Sequence, residues 1–286
     1  MDMKNTELDK KIAGSIKLLQ SVQKAHEGEE IELAYSGGKD SDVILQLAKE
    51  AGINYRAIYK NTTIDPPGTI AHVKENGVEI RQPQKTFFQL ITEKNMMPNR
   101  WARFCCAYLK EYKILDTCIM GVRRAESVKR AARYSEPTEC RYYGSKKNHV
   151  EAVYPILDWT NDDVRDFILD RNIKLAPVYY SENGELHIER RLGCIGCPLA
   201  SYKHRLSELQ KYPNMVKAYI RALQANKEIK KNNAVWTKHS DPYDYLVHDL
   251  FYPSIGYKNY KYTIHRNLFG DIDSKQLLEQ YFKIKL

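Results

Sequence analysis

The stretch Tyr35-Ser36-Gly37-Gly38-Lys39-Asp40-Ser41 decides the fold, because it lies between two apolar segments of different character. The residues before it, Ile31-Glu32-Leu33-Ala34, are typical of a buried strand, and residues 43–48 are typical of a buried helix. A strand, a tight glycine turn and a helix start are therefore predicted to meet here. The glycines allow a sharp turn, and the free N–H groups at a helix start attract an anion such as phosphate.

The side chains of this turn offer further groups to an anion. Lys39 carries a mobile positive charge, and Ser36 and Ser41 carry hydroxyl donors. The pattern is not a Walker loop, because position 33, where that loop needs glycine, is leucine, and position 40, where it needs serine or threonine, is aspartate. The sequence therefore excludes the kinase and GTPase type of phosphate loop.

Length and composition are those of a soluble globular protein with a full core. The chain has 286 residues, of which 43% are hydrophobic and 28% are charged. The segment Met1–Lys11 is charged and no apolar run approaches about 18 residues, so we expect no signal peptide, no membrane partner and a cytoplasmic location.

The positive charge is concentrated toward the C-terminus. Of the net charge of +9, residues 201–286 contribute a surplus of 7, since they hold 15 Lys and Arg against 8 Asp and Glu. Many tyrosines lie among these cations. Cations mixed with aromatic side chains are typical of a surface that contacts DNA or RNA. The alternative is an ordinary helical extension, which either has a solvated basic face or packs on a protein partner.

Six cysteines form an uneven pattern along the chain. Cys105 and Cys106 are adjacent, and Cys194 and Cys197 form a C-x-x-C turn. Disulfides are not expected in a reducing compartment. Four soft ligands in two short clusters fit a tetrahedral zinc or an iron–sulfur cluster, although a C-x-x-C alone would also fit a redox pair. Cys118, inside an apolar run, is predicted to be a packed core thiol.

Hydrophobic periodicity predicts alternating helices and strands. Leu8 to Val22 predict an opening helix that ends near Gly28. This alternation predicts an α/β fold with a doubly wound, mostly parallel sheet, whose ligands bind at the carboxyl ends of the strands. The predicted strands are Ile31–Ala34, Tyr55–Tyr59, Val78–Ile80, Thr117–Val122 and Val150–Tyr154, and the predicted helices lie near 42–50, 69–76, 86–94, 107–115 and 161–168.

Ser-Gly-Gly-x-Asp-Ser at residues 36–41, in this strand and helix context, resembles the pyrophosphate loop of the ATP pyrophosphatase and PAPS reductase superfamily. The resemblance runs from about residue 30 to about residue 205. It implies a Rossmann-like fold of the adenine nucleotide alpha hydrolase type that binds ATP or a related adenine nucleotide. The implied nucleotide-binding residues are Ser36, Gly37, Gly38, Lys39, Asp40, Ser41, Thr62, Asp65, Arg123, Arg124, Ser127 and Arg130.

Two segments carry the nucleotide resemblance beyond the turn. The segment 61–69 looks like the border of the adenosine site, and its Asp65, with Asp40, is a candidate ligand for Mg²⁺, although Asp40 could equally cap a helix. The segment 121–130 resembles the superfamily's arginine-rich loop, whose guanidinium forks match phosphate oxygens, and Ser127 can cap the helix that follows. A basic turn with solvated arginines is the alternative.

The cysteine pattern carries a second resemblance. Cys106 and Cys194 lie 88 positions apart, and this arrangement resembles the [4Fe–4S] ligand set of assimilatory sulfonucleotide reductases and of the ATP pyrophosphatase of DNA phosphorothioation systems. The resemblance implies Cys105, Cys106, Cys194 and Cys197 as the ligands of the cluster. Zinc is the lesser alternative.

The chain departs from the reductases at two points. The reductases carry a nucleophilic cysteine near the C-terminus, whereas this sequence has none after Cys197, and it keeps the Gly-Gly-Lys-Asp-Ser form of enzymes that use ATP. We therefore expect ATP with Mg²⁺, attack of an acceptor on the α-phosphate and release of pyrophosphate. The expected catalytic residues are Lys39, Asp40, Arg123 and Arg124.

Adenylation coupled to iron–sulfur-assisted sulfur transfer, to DNA or RNA as in phosphorothioation, is the leading hypothesis. The sulfur donor would be a protein such as a cysteine desulfurase. The alternatives are a sulfonucleotide reductase that uses a partner's thiol and a non-catalytic nucleotide-binding subunit of a modification or defence complex. The predicted domains are residues 1–205, with the cysteines, and a basic helical extension at residues 206–286.

Overall fold

The computed structural model describes residues 3–142, 149–265 and 273–286. The chain forms two compact units that are interleaved along the sequence. The predicted division into a domain of residues 1–205 and an extension of residues 206–286 stays a prediction. The first unit contains Met1–Asn61, Asp65–Pro83 and Ala107–Gly193, and the second contains Thr62–Ile64, Gln84–Cys106 and Cys194–Leu286.

A six-stranded sheet forms the centre of the first unit in the described part of the chain. In chain order the strands are β1 Ile31–Tyr35, β2 Arg56–Lys60, β3 Glu79–Arg81, β4 Thr117–Met120, β5 Thr138–Tyr142 and β6 His149–Val153. Their spatial order is β3-β2-β1-β4-β6-β5, and every pairing is parallel except that of β5 with β6. The predicted α/β class with a mostly parallel, doubly wound sheet is confirmed.

Helices surround the sheet and make up most of the second unit. In chain order they are α1 Met3–Ala25, α2 Lys39–Ala51, α3 Thr69–Glu75, α4 Phe87–Glu93, α5 Phe104–Leu109, α6 Val128–Arg133, α7 Asn161–Asp170, α8 Tyr202–Lys211, α9 Asn214–Ile229, α10 Ala234–Lys238, α11 Pro242–Phe251, α12 Tyr257–His265 and α13 Ser274–Phe282. Helices α1, α2 and α7 contribute to one buried core with the central strands, where Leu19, Leu33, Ile44 and Phe167 are fully buried. No helix in the described ranges combines the length and apolar character needed to cross a bilayer.

Two elements differ from the sequence-based expectation. The helix expected near 107–115 is wrong in its placement, because α5 begins at Phe104 and ends at Leu109, and Lys113 adopts a left-handed φ of 47° that a helix cannot continue through. Strand β5 was not expected at all. It is a half-exposed edge strand paired on one side, so its sequence lacks the apolar alternation that marks a buried strand.

The second unit is a helical assembly held by buried polar and aromatic side chains. The amide of Asn226 in α9 donates to the carbonyls of Ile91 and Lys94, at 2.8 and 2.6 Å, so it satisfies the end of α4. Trp236 in turn donates to the Asn226 carbonyl oxygen at 2.9 Å. Phe87 of α4 packs edge to face on Tyr219 of α9. The predicted helical character of the C-terminal region is confirmed.

The strand order places a topological switch point between β1 and β4. After β1 the chain passes through α2 to β2, which pairs with one side of β1. Strand β4 pairs with the opposite side of β1. Loops after two such strands diverge and leave a crevice at their carboxyl ends. Gly121 follows β4 and meets the first turn of α2 so closely that a Cβ there would lie 2.9 Å from the Asp40 carbonyl oxygen.

Replacement of Gly121 by alanine should therefore destabilise the first unit. We expect Gly121→Ala to lower the free energy of unfolding by about 1–3 kcal/mol, because the added methyl collides with backbone atoms that cannot move aside cheaply. Gly14→Ala is the matched control, since a methyl at Gly14 would meet no heavy atom within 4 Å beyond the backbone of its own helix, α1; it should be neutral or stabilise by about 0.5–1 kcal/mol. Urea denaturation measures both. Equal stability of the two variants would contradict the close contact.

Candidate functional site

The glycine turn has the geometry that the sequence predicts. Strand β1 ends at Tyr35, and Gly37 turns the chain with a left-handed φ of 76°. A Cβ on Gly37 would approach the Thr69 methyl to 3.1 Å, so both conformation and space call for glycine. Gly38 is the N-cap of α2, and its carbonyl accepts from the N–H groups of Ser41 and Asp42. The predicted strand, turn and helix start are confirmed.

The two serines of the turn brace it from inside. Ser41 donates its hydroxyl to the Gly38 carbonyl at 2.7 Å, and the Gly38 N–H donates to the Ser36 hydroxyl oxygen at 3.4 Å. Ser36 also donates to Ser41 at 3.3 Å. The hydroxyls thus hold the shape of the turn, while their assignment as ligands of a phosphate stays a prediction.

Lys39 lies buried at the start of α2 against a tyrosine from a distant segment. Its backbone N–H donates to the Tyr179 hydroxyl at 3.0 Å, and its ammonium lies 5.6 Å from the centre of that ring. The ammonium donates to the Arg190 carbonyl at 3.3 Å. Burial lowers the pKa of Lys39 from its ordinary value. The negative charge of Asp40 raises this pKa, and the positive charge of Arg123 lowers it further. The sequence gives no signal for Tyr179, because 140 positions separate it from Lys39.

Tyr179 presents a neutral hydroxyl to the turn. Burial raises the pKa of Tyr179 to about 12, although hydrogen bonds from the backbone of Lys39 and Leu192 lower it. Because the tyrosine oxygen accepts from these N–H groups, its own proton remains available to an acceptor. This residue holds the first N–H of α2 in a defined direction.

Asp40 pairs with Arg123 across the switch point. Arg123, which is 1% exposed, donates through Nε to the Asp40 carboxylate at 2.7 Å. A second guanidinium nitrogen donates to the Asn161 side chain at 3.0 Å. The alternative of Asp40 as a helix cap is wrong, because Gly38 occupies the cap position of α2. The structure thus joins two predicted site residues, one from the first turn of α2 and one from the loop after β4.

The other residues of the arginine-rich segment engage mainly with protein groups. Arg124 donates to the Tyr134 carbonyl at 2.7 Å and to Asp158. Ser127 accepts from the Arg130 N–H at 3.2 Å, which confirms it as the cap of α6. Arg130 pairs with Glu126, and Glu126 also accepts from Arg191 at 2.5 Å. Roles for these arginines in nucleotide binding stay predictions.

A buried network behind the turn was missed by the sequence analysis. Asp42, in the first turn of α2, accepts from the Tyr35 hydroxyl and lies 3.0 Å from Nε2 of His72. Burial raises the pKa of Asp42, while the His72 and Tyr35 hydrogen bonds lower it. The network links the end of β1, the start of α2 and α3. The available signal in the sequence was Asp42 itself, because an aspartate on the buried side of a helix needs a hydrogen-bond partner.

The remaining predicted nucleotide residues, Thr62 and Asp65, fall in different compact units. Asp65, in the first unit, accepts from the Tyr59 hydroxyl at 2.6 Å. Thr62 belongs to the second unit and is buried, with its hydroxyl oxygen 3.5 Å from the Cys194 sulfur. Their roles toward a nucleotide and toward Mg²⁺ stay predictions.

The four cysteines of the two predicted clusters lie in the same compact unit. Cys105 and Cys106 are in α5, and Cys194 and Cys197 are on a turn in which the Cys197 N–H donates to the Cys194 carbonyl at 3.2 Å. Gly196 adopts a φ of 68° there, and its carbonyl accepts from the buried Arg205 at 3.0 Å. All four thiols are half-buried and none forms a disulfide.

The four thiols influence one another electrostatically. The hydrogen bond with Cys106 and burial raise the pKa of Cys105, and charge on Cys106, Cys197 and Cys194 raises it further. Within the described ranges, no three His, Cys, Asp or Glu side chains adopt the spacing of a bound metal. The four cysteines offer the donor chemistry of a four-thiolate centre, but their side chains do not adopt the spacing of a bound metal. Cys118 is fully buried in β4, as predicted for a core thiol.

Comparison with known proteins identifies the family. The family model of the phosphoadenosine phosphosulfate reductase domain matches residues 30–200, which include the glycine turn, the arginine-rich segment and all four cysteines. The chain belongs to the phosphoadenosine phosphosulfate reductase domain family. The match begins just before β1 and leaves the helices from α8 onward outside the family domain.

Two proteins and one solved structure are similar to parts of this chain. An uncharacterised protein of Methanocaldococcus jannaschii is 31% identical over 210 residues, 68% of this chain and 47% of that protein, so the chain spans about half of its length. The adenosine 5′-phosphosulfate reductase of Oceanobacillus iheyensis is 25% identical, over 66% of this chain and 79% of that one. The U34-tRNA thiolase of Methanococcus maripaludis, solved with its [4Fe–4S] cluster, aligns at a TM-score of 0.40 with 14% identity, over 79% and 80% of the two chains.

Removal of the Tyr179 hydroxyl should weaken nucleotide binding selectively. Tyr180→Phe is the matched control, because the Tyr180 hydroxyl likewise accepts a backbone N–H, that of Leu175 at 3.2 Å. Both variants should lose about 1 kcal/mol of stability, whereas Tyr179→Phe alone should weaken MgATP binding by about tenfold, since Lys39 loses its fixed position. Thermal melts and titration calorimetry measure the two effects. Equal affinity of the two variants for MgATP would contradict a role for Tyr179.

Proposed function

We propose that this protein is an ATP pyrophosphatase-type enzyme that adenylates an acceptor and serves sulfur transfer to it. An acceptor oxygen or other nucleophile attacks the α-phosphorus of ATP, a bond to the α-phosphorus forms, and the bond to the bridging oxygen of pyrophosphate breaks. The pyrophosphate leaves with that electron pair. The sulfur of hydrosulfide or of a donor persulfide then attacks the adenylated acceptor, and AMP leaves with the electron pair of the broken bond. A persulfide donor leaves a disulfide, which an external thiol reduces to release the thiolated acceptor. Membership of the family supports nucleotide-binding, sulfur-related chemistry at this coarser level.

The observation that carries the proposal is the glycine turn at the start of α2, beside a topological switch point. Open sheets of this kind bind ligands in the crevice at such points, and the positive end of a helix dipole favours an anion. Lys39 is buried beside the turn, so its charge acts in a medium of low polarity. These features fit the outer phosphates of ATP.

The residues of the first unit would divide the work of the adenylation step. Lys39 and the backbone of the turn would stabilise negative charge as pyrophosphate departs. The Asp40–Arg123 pair, at 2.7 Å, fixes a guanidinium close to the turn, so Arg123 would be oriented before the nucleotide arrives. Mg²⁺ entering with ATP would neutralise phosphate charge, and Asp40 and Asp65 are the carboxylates proposed to hold it.

The four half-buried cysteines of the second unit are the proposed ligands of a [4Fe–4S] cluster, with zinc as the lesser alternative. Their donor chemistry fits such a centre, and buried Arg205 places a positive charge on the carbonyl of Gly196 between the last two cysteines. When bound, the cluster would supply a soft metal site for sulfur or brace the fold. The sulfur donor is proposed to be a partner protein such as a cysteine desulfurase.

The products of ATP turnover test the adenylation step. Anaerobically purified protein with α-labelled ATP, Mg²⁺ and tRNA or DNA as acceptor should release AMP and pyrophosphate. Lys39→Ala should lower the rate by about a hundredfold, as for loss of one electrostatic donor. Lys49→Ala, at an exposed position of the same helix, should leave it unchanged.

Other products would distinguish the alternatives. Release of ADP and phosphate would refute attack on the α-phosphate. Sulfite from a sulfonucleotide and thioredoxin would indicate the reductase, and tight ATP binding without turnover would indicate the non-catalytic subunit.

Iron content tests the cluster separately. Anaerobic protein should contain about four irons and four sulfides per chain and show a broad visible charge-transfer band. Cys194→Ser and Cys106→Ser should each diminish both, while Cys140→Ser, at an exposed cysteine of β5, should leave both intact. Colourless protein with one zinc would favour the zinc alternative. Loss of the band in Cys140→Ser alone would contradict the proposed ligand set.

A further inference from the structure

Trp101 is the most exposed large hydrophobic side chain in the described part of the protein. It is 97% exposed, whereas the other two tryptophans, Trp159 and Trp236, are 2% and 9% exposed. An indole in water forgoes one of the largest gains of burial available to a side chain. A single exposed apolar side chain is ordinary by itself, but an indole with both faces open to solvent can stack on another flat ring.

An ordered turn presents this side chain. The Asn99 side-chain oxygen accepts from the backbone N–H groups of Trp101 and Ala102, both at 2.8 Å, and the Asn99 N–H donates to the Ala102 carbonyl at 3.2 Å. We call residues 99–102 the Trp101 turn. Because two donors converge on one amide, the backbone of the turn is fixed in the free protein, and a ligand that stacks on the indole has little backbone to order.

The surroundings of the Trp101 turn are positively charged. Arg100 donates to the Ala200 carbonyl at 3.0 Å, which ties the turn to the segment after the second cysteine pair within the same compact unit. Residues 94–106 hold Lys94, Arg100 and Arg103 without an aspartate or glutamate, and residues 198–206 hold Lys203 and Arg205, again without an acid. Arg205 is buried and pairs with Asp249 at 2.6 Å, so Arg100, Arg103 and Lys203 are the exposed cations of these two segments.

A flat aromatic ring beside several cations matches a partner that has flat rings on a polyanionic backbone. Unpaired bases of DNA or RNA stack on exposed aromatic side chains, while Lys and Arg contact the phosphates between them. An acidic protein would also match the charge and would bury the ring, and failure of single strands to bind would favour it. Duplex nucleic acid would match the charge but keeps its base faces covered.

We propose that the Trp101 turn binds single-stranded or unpaired nucleic acid by stacking a base on the indole. The proposal deepens the proposed function, on which its biological meaning rests, because it names nucleic acid with an accessible base as the acceptor class. It also places the base-binding surface on the segment that leads directly into Cys105, rather than on the basic helices that follow residue 205.

Binding without ATP tests this proposal independently of the adenylation chemistry. The full-length protein is titrated with single-stranded DNA and RNA of about 12 nucleotides, and binding is followed by anisotropy of a labelled oligonucleotide and by tryptophan emission. Stacking should quench the emission of Trp101, the exposed indole. Trp101→Ala should weaken binding by about tenfold, and Trp101→Phe should retain most of it.

The matched control is Tyr142→Ala in β5. Tyr142 is also exposed, at 68%, and follows Arg141, but it belongs to the first unit. The Tyr142→Ala variant should bind the oligonucleotides with the affinity of the wild type. Circular dichroism should show that each variant is folded. Equal binding by Trp101→Ala and wild type, stronger binding to duplex than to single strands, or no quenching would each overturn the proposal, whatever the outcome of the ATP assay.

Discussion

The first turn of α2 is the constraint on which the first unit depends. Its backbone meets Gly121 at a distance that excludes any side chain, and its first N–H is held by Tyr179. Asp42 in the same turn engages Tyr35 and His72. A helix start normally leaves N–H groups without partners. Here the surrounding elements fix the direction of the backbone at the start of α2. The Gly37–Gly38 turn itself carries no bulky side chains. The site is thus organised before a ligand arrives.

The charges around this turn are arranged in pairs. Asp40 neutralises Arg123, and Glu126 joins Arg130 and Arg191. Pairing keeps several cations close together at a tolerable electrostatic cost, since like charges in a half-buried site would otherwise repel strongly. The carboxylates thus serve as internal partners of the arginines, and in the proposed function a polyphosphate would compete with them for the guanidinium groups.

The second unit follows a different principle. Its helices are connected through buried polar groups, among them Asn226, Arg205 and Asp244, and Asp244 accepts from Tyr260 at 2.8 Å and pairs with Lys261. Burial alone would raise the pKa of Asp244, but hydrogen bonds from His239, Tyr260 and Lys261 lower it well below its usual range. Such satisfied networks make a helical assembly specific in its packing. Arg205 connects this framework to the turn between Cys194 and Cys197 through its hydrogen bond to the Gly196 carbonyl.

The sequence by itself determined the class of fold, the glycine turn, the serine cap of α6, the core position of Cys118 and the family. All but the family follow from local rules, because hydrophobic period, glycine conformation and capping act over a few residues. The family follows from the resemblance of the glycine turn and the cysteine pattern to a known superfamily. Tertiary structure alone decided the contacts of Lys39 with Tyr179, the burial of Arg123 against Asp40, the strand β5 and the bounds of α5. Each of these depends on residues far apart in sequence or on an edge position with no pattern of its own. Periodicity records which face of an element is buried, but it does not record which distant side chain covers that face.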